Sequence, residues 1–155
     1  MRWNPCTPLL ALLLAVLAAC QPGTSPGPHS GSTAAAGAHV AWFEGSFDEA
    51  LKQAQVTKRL VFIDFFTTWC PPCKKLEKET FTDKAVIEEL AGMVPLSIDA
   101  ESNTGAPLAQ RYSVAGYPTL LVLDAGGQEV GRMVGFAPPT GFLAELRAIR
   151  ARVKR

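Results

Sequence analysis

The chain has few residues that bind metals. It contains 2 histidines, both before residue 40, and 4 cysteines, two of which lie within the first 20 residues. The other two, Cys70 and Cys73, are the only cysteines in the region predicted to fold. Tetrahedral zinc normally needs four Cys or His ligands, so this pair is not expected to form a zinc site. The sequence indicates no metal site and no other cofactor.

The sequence has no large excess of charge of either sign, and it has few long apolar runs. There are 15 Lys and Arg against 14 Asp and Glu, and without residues 1–19, which contribute only Arg2, the balance is 14 against 14. Nucleic-acid-binding domains normally carry a clear basic excess, so such binding is not expected. After Ala19 no apolar run approaches the ~20 residues of a bilayer-spanning helix. Membrane contact is therefore expected from a lipid rather than from the chain.

Residues 1–19 have the features of an export signal. Arg2 is the single early charge, and Leu9 to Ala19 is an apolar run of eleven residues, about half of a membrane span. The ending Leu17-Ala18-Ala19-Cys20 resembles the bacterial lipobox, in which cleavage precedes a cysteine that carries the lipid. The resemblance implies a lipoprotein anchored by Cys20 on the periplasmic side of an envelope membrane. An ordinary secretory signal or a signal anchor, with an incidental Cys20, is the alternative.

The next segment, residues 20–39, is predicted to be a disordered tether. It consists largely of Pro, Gly, Ser, Thr and Ala, a composition that buries too little apolar surface to fold. A flexible coil of this length spans ~25 Å on average. Residues 40–155 suit one domain with a single core, which we expect to be monomeric.

The folded region alternates between helical and strand patterns. Ser46-Phe47-Asp48-Glu49 matches a capping box, and Leu60–Phe66 is too continuously apolar for a half-exposed strand. The predicted elements are, in order, a helix from Ser46 to about Lys58, a central strand 60–66, helices 71–80 and 83–91, a strand 93–99, a helix 106–112, strands 119–124 and 128–134, and a helix 140–153. This order predicts an α/β fold with a central mixed sheet flanked by helices.

Trp69 to Lys74 is the segment that indicates chemistry. Two cysteines three positions apart at a helix start place both sulfurs within reach of one disulfide, and the N–H groups there favour a thiolate. Pro71 and Pro72 fall in the first helical turn, where a missing N–H costs nothing. Cys70 is predicted to be an exposed nucleophile that forms a mixed disulfide, which Cys73 resolves. A purely structural disulfide is the alternative, although so short a loop constrains the unfolded chain little.

Two acidic residues lie near this motif. Asp64 lies inside the apolar strand, where an unpaired charge is costly, so we expect a raised pKa and a position beneath the cysteines. Glu77 follows Cys73 by four residues, on the same helix face. Both acids would disfavour ionisation of Cys73 and could accept its proton during resolution. A structural Asp64 and a solvated Glu77 among lysines remain alternatives.

These segments together resemble the thioredoxin fold, and more closely the C-terminal thioredoxin-like domain of DsbD-type transmembrane thiol:disulfide interchange proteins. The matching segments are 45–51, Asp64, 69–70, 73–74, 76–78, 80–83, 116–120 and 134–136. The resemblance implies a thioredoxin fold, thiol:disulfide oxidoreductase activity, and an acidic pair at Asp64 and Glu77. The parent family joins this domain to a multi-span membrane domain that carries electrons. We expect a separate membrane protein to donate electrons here.

Pro118, after Gly116 and Tyr117, resembles the cis-proline loop that faces the active site in this family. The resemblance implies that the Tyr117 backbone receives an extended peptide as one more strand. Trp69 and Tyr117 are predicted to line that substrate-binding surface. A proline at a strand edge, and aromatics that merely pack, are the alternatives.

The predicted function is reduction or interchange of disulfides in extracytoplasmic proteins. Apocytochrome c, whose thiols must be kept reduced during cytochrome c biogenesis, is included among these proteins. No histidine lies between the two cysteines to stabilise the thiolate and make the disulfide strongly oxidising, which favours a reductant. The alternative is a Cu(I)-binding metallochaperone, because a reduced C-x-x-C is a soft ligand pair. Such carriers usually add a Met or His, whereas Met93 and Met133 fall in predicted strands.

Overall fold

The computed structural model describes residues 39–153. The predicted signal, Cys20 and nearly all of the predicted tether lie outside the described residues. The described part contains the nine predicted elements in the predicted order: α1 (Phe47–Thr57), β1 (Val61–Phe66), α2 (Pro71–Glu79), α3 (Lys84–Ala91), β2 (Val94–Asp99), α4 (Gly105–Arg111), β3 (Thr119–Leu123), β4 (Glu129–Val134) and α5 (Pro139–Val153). Within this part of the chain, no helix combines the length and apolar character needed to cross a bilayer.

The four strands form one mixed sheet in the order β2-β1-β3-β4. β1 pairs in parallel with β2 and antiparallel with β3, and β3 pairs antiparallel with β4. The first five residues of β1 are buried, which confirms the prediction of a central strand covered on both faces. The predicted fold class is likewise confirmed.

Local signals explain where the first helix begins. Ser46 forms the predicted capping box: its N–H donates to Glu49 Oε2 at 2.8 Å, and the Glu49 N–H donates to Ser46 Oγ at 3.3 Å. Such a cap satisfies N–H groups that have no partner within the helix and stabilises it by about 1 kcal/mol. Asp83 caps α3 in a similar way, accepting from the N–H groups of Ala85 and Val86.

Alternate residues of β1 pack into two separate apolar layers. Phe62 belongs to the layer that α2, α3 and α5 cover, whereas Val61, Ile63 and Phe65 belong to the layer that α1 and α4 cover. Because side chains alternate along a strand, Asp64 lies on the same face as Phe62. The sheet therefore presents Asp64 toward α2, the helix that carries both cysteines.

Candidate active site

The first turn of α2 holds both cysteines. Cys70 is the N-cap, Pro71 and Pro72 follow in the first turn, and a disulfide joins Cys70 to Cys73 with an S–S distance of 2.08 Å. The Cys73 N–H donates to Cys70 Sγ at 3.2 Å. An N–H at a helix N-terminus stabilises negative charge, so this contact would favour a Cys70 thiolate once the disulfide is reduced.

The expected exposure of Cys70 is wrong for the disulfide form. Cys70 is only 2 % exposed and Cys73 only 7 %. The Cys70 N–H donates to the Thr67 carbonyl at 3.2 Å, and its sulfur is directed at the helix N-terminus and bonded to Cys73. The side chain is thus turned along the helix end rather than into solvent.

A cleft of about 300 Å³ lies beside the disulfide and contains both predicted acids. Asp64, Cys73 and Glu77 all line it. Other lining residues are the polar side chains of Thr67, Thr68, Lys74 and Ser97 and the rings of Trp42, Phe66 and Phe81. The structure therefore brings the two carboxylates and the Cys73 thiol position to one cleft.

Asp64 is a buried carboxyl group without a partner. The residue is 7 % exposed, and its Oδ1 accepts no hydrogen bond within residues 39–153. Burial raises the pKa of Asp64 to about 7, and the nearby negative charge of Glu77 adds to the rise. This is the predicted direction. A carboxyl group with a pKa near 7 exchanges protons readily at neutral pH.

Glu77 combines the two alternatives considered for it. It is exposed on α2, as a solvated helix residue would be, and it also lines the cleft. Of the lysines around it, Lys74 lines the same cleft, and Lys75 lies over the Phe136 ring at 4.2 Å from the centroid. Its part in the chemistry stays a prediction.

The loop before β3 contacts Trp69, the residue before Cys70, through the Tyr117 ring. The Tyr117–Pro118 peptide bond is cis, and the Pro118 carbonyl accepts from the Gly135 N–H at 2.8 Å. The Tyr117 N–H and C=O make no hydrogen bond in the part of the chain that the structure describes. These groups are available for an additional strand.

Trp69 is the largest exposed apolar side chain next to the disulfide. It is 60 % exposed, and its ring meets that of Tyr117 edge to face, with centroids 6.2 Å apart. Its Nε1–H donates to Glu101 Oε2 at 3.0 Å. The structure thus brings Trp69 and Tyr117 together, as predicted for a substrate-binding surface. Binding itself stays a prediction.

Sequence reasoning missed Glu101 and Trp42. Glu101 lies in the loop after β2, and Trp42 lies before α1, and neither belongs to a recognisable motif. The residues they contact are distant in the chain, so no local pattern could have found them. Among the described residues there is no cluster of three or more His, Cys, Asp or Glu side chains placed to hold a metal ion.

This architecture and this site define a class of protein. A mixed sheet with a C-x-x-C disulfide at a helix N-terminus and a cis-proline before the third strand is the thioredoxin fold. Residues 47–150 match the family model described as a thioredoxin-like domain. The chain belongs to this family, which confirms the resemblance seen in its sequence.

Individual relatives agree with this assignment. The chain is 42 % identical over 103 residues to the thiol:disulfide interchange protein DsbD of Ralstonia nicotianae, an alignment that covers 64 % of this chain and 17 % of that protein. The chain thus spans less than a fifth of the length of this relative. The structure of the present chain matches that of a putative disulphide-isomerase from Bacteroides thetaiotaomicron at 40 % identity and a TM-score of 0.65. The match covers 72 % of this chain and 93 % of the other. The DsbD C-terminal domain of Neisseria meningitidis, at 22 % identity and a TM-score of 0.53, with 65 % and 87 % covered, shares the fold.

Proposed function

We propose that the protein is a thiol:disulfide oxidoreductase that reduces or interchanges disulfides of extracytoplasmic proteins, tethered to an envelope membrane by a lipid on Cys20. The observation that carries this proposal is the Cys70–Cys73 disulfide at the start of α2, beside the unpartnered carboxyl group of Asp64. The naming of a relative as a thiol:disulfide interchange protein supports it.

The first step is attack on a partner disulfide. The Cys70 thiolate forms a bond to one partner sulfur, and the partner S–S bond breaks, releasing the second partner sulfur as a thiolate that takes a proton from water. The Cys73 N–H, 3.2 Å from Cys70 Sγ, stabilises the attacking thiolate. The product is a mixed disulfide between Cys70 and the partner.

The second step releases the partner. Cys73 loses its proton to Asp64 and attacks Cys70 Sγ, forming the observed disulfide, while the remaining partner sulfur leaves as a thiolate. Two electrons pass to the partner and the enzyme pair is oxidised. Asp64 suits the role of base because its pKa of about 7 matches neutral conditions.

Partner binding uses the surface around Tyr117. An extended peptide would pair with the free N–H and C=O of Tyr117 and lie against the exposed Trp69 ring. A separate membrane protein with a dithiol would then reduce the Cys70–Cys73 disulfide. We include the thiols of apocytochrome c among the proposed targets.

The function is tested by trapping the intermediate. We expect the full-length chain to catalyse insulin reduction, and Cys73→Ser to accumulate a mixed disulfide through Cys70, because no thiol remains to resolve it. Mass spectrometry of the Cys73→Ser protein, with Cys70→Ser as the control that cannot form the adduct, measures the trapped species. If the wild-type chain shows no insulin reductase activity and binds Cu(I) stoichiometrically, the proposal is wrong and copper delivery is the better interpretation.

A further inference from the structure

Trp42 is held against the active-site cleft by the segment that precedes α1. The Trp42 N–H donates to the Val40 carbonyl at 3.0 Å, and the Phe43 N–H donates to the Pro95 carbonyl of β2 at 2.7 Å. The second of these bonds attaches the segment to the side of β2 away from β1. The position of the Trp42 backbone is therefore set by the sheet rather than by a helix.

The Trp42 ring packs on aromatic rings of the core. Its centroid lies 5.1 Å from that of Phe81, edge to face, and 6.4 Å from that of Phe62. The same ring lines the cleft that contains Asp64 and Cys73. Trp42 thus connects an aromatic cluster of the core to the wall of the cleft.

Few groups in the cleft can influence whether Asp64 is protonated. Besides Asp64 itself, its titratable or charged lining residues are Cys73, Lys74 and Glu77, all from α2. β2 contributes the uncharged Ser97, and the segment before α1 contributes Trp42. Asp64 Oδ1 is buried from water and has no partner in the described chain, so water in the cleft reaches this carboxyl group only through the 7 % of the residue that stays exposed. The Trp42 ring is one of the side chains that bound this space.

We propose that Trp42 is a positioning residue for the resolving step: its ring restricts water around Asp64 and so keeps that carboxyl group a strong enough base to take the Cys73 proton. The inference rests on the proposed function. The family model begins at residue 47, so Trp42 lies in a segment that the family match does not include. In this step the proton moves from Cys73 to Asp64, the Cys73 sulfur bonds to Cys70 Sγ, and the partner sulfur leaves with the electrons of the broken bond.

The first test measures Asp64 directly and requires no activity. Carbon-13 NMR of aspartate-labelled, oxidised full-length protein follows the carboxyl titration in wild type, Trp42→Ala, Trp42→Phe and Phe43→Ala. We expect Trp42→Ala to lower the Asp64 midpoint by about 1 pH unit, because added water favours the carboxylate. Trp42→Phe, which keeps an aromatic ring, should restore most of the difference.

Phe43→Ala is the matched control. Phe43 is the next residue of the same segment and is also half-buried, but it packs with the layer under α1 and does not line the cleft. Its loss should lower stability as an aromatic truncation does, yet leave the Asp64 midpoint unchanged. If Trp42→Ala fails to fold, Trp42→Leu, whose side chain is smaller than the indole, should still lower the Asp64 midpoint, by less than about 1 pH unit.

The second test follows resolution of a preformed mixed disulfide against pH by stopped-flow. We expect the Trp42→Ala profile to shift to lower pH with the Asp64 midpoint, and its rate plateau to fall about threefold because a weaker base accepts the proton less readily. Equal profiles for Trp42→Ala and Phe43→Ala overturn the inference, as does a shifted Asp64 titration with an unshifted rate profile. Failure of the wild type to form any mixed disulfide would instead contradict the proposed function, and the two failures are thus distinguishable.

Discussion

At the scale of single residues, Asp64 is a buried carboxyl group that lowers the stability of the fold and is proposed to serve in proton transfer. A carboxyl group without a hydrogen-bond partner, inside a strand whose neighbours are Ile63 and Phe65, costs free energy that an apolar residue would not. The strand tolerates it because the group can be protonated near neutral pH. The proposed proton transfer with Cys73 across the shared cleft would give a chemical reason for this cost.

Replacing Asp64 tests that reason. We expect Asp64→Asn to slow resolution of the mixed disulfide by roughly 100-fold at pH 7.5, because the amide cannot accept the Cys73 proton. Quench-flow with thiol alkylation measures the decay of the mixed disulfide. Glu77→Gln is the control and should have a smaller effect, since Glu77 is exposed. Resolution by Asp64→Asn at the wild-type rate would show that another group is the base.

Residue properties could be predicted where they depend on neighbours in the sequence, and could not where they depend on distant contacts. The raised pKa of Asp64 could be predicted because its burial follows from the apolar strand around it. The burial of Cys70 could not, because it depends on the disulfide and on the Thr67 contact. Glu101 escaped prediction because its contact, Trp69, is 32 positions away.

At the scale of elements, helix and strand limits followed from local chemistry. The capping box at Ser46, the prolines of the first turn of α2 and the Asp124–Gly127 turn each determine an element boundary without distant help. The approach of α4 to the end of β2 is different. A Cβ at Gly105 would lie 1.9 Å from the Asp99 carbonyl oxygen, so only glycine allows that contact.

Gly105→Ala tests this close approach. We expect it to lower the free energy of unfolding by more than about 2 kcal/mol, because backbone atoms must move to relieve the overlap. Gly141→Ala is the matched control: it lies in α5, and its Cβ would meet nothing nearer than Pro138 Cδ at 3.7 Å. It should leave stability unchanged or raise it by up to ~1 kcal/mol. Urea denaturation of both variants measures the difference, and equal stability would contradict the packing described.

At the scale of the whole molecule, Asp64 should make stability depend on pH. Its pKa is about 7 in the folded protein against an ordinary value of 3.8, so between these values the folded state binds more protons than the unfolded state. The stability that this group contributes is full below pH 4 and is lost as the pH rises through 7. The loss is on the order of 4 kcal/mol, since each pH unit between the two values is worth about 1.4 kcal/mol.

The measurement compares the oxidised wild type with Asp64→Asn. Urea denaturation at pH 5 and pH 8 should show the variant gaining stability relative to wild type at the higher pH, because the amide never carries the buried charge. Keeping the disulfide intact holds Cys70 and Cys73 out of the titration. A difference between the two proteins that does not change with pH would contradict the raised pKa.

The amino-acid sequence by itself determined the element order, the strand covered on both faces, the helix that begins at the two cysteines and the acidic group beneath them. These follow from patterns within a few residues: apolar periodicity, caps, turn chemistry and the cost of a buried charge. Only the tertiary structure decided that Trp42 lines the cleft that contains Asp64 and that Glu101 accepts a hydrogen bond from Trp69. Those contacts join residues far apart in the chain, and their geometry depends on how the sheet and helices pack rather than on any local preference.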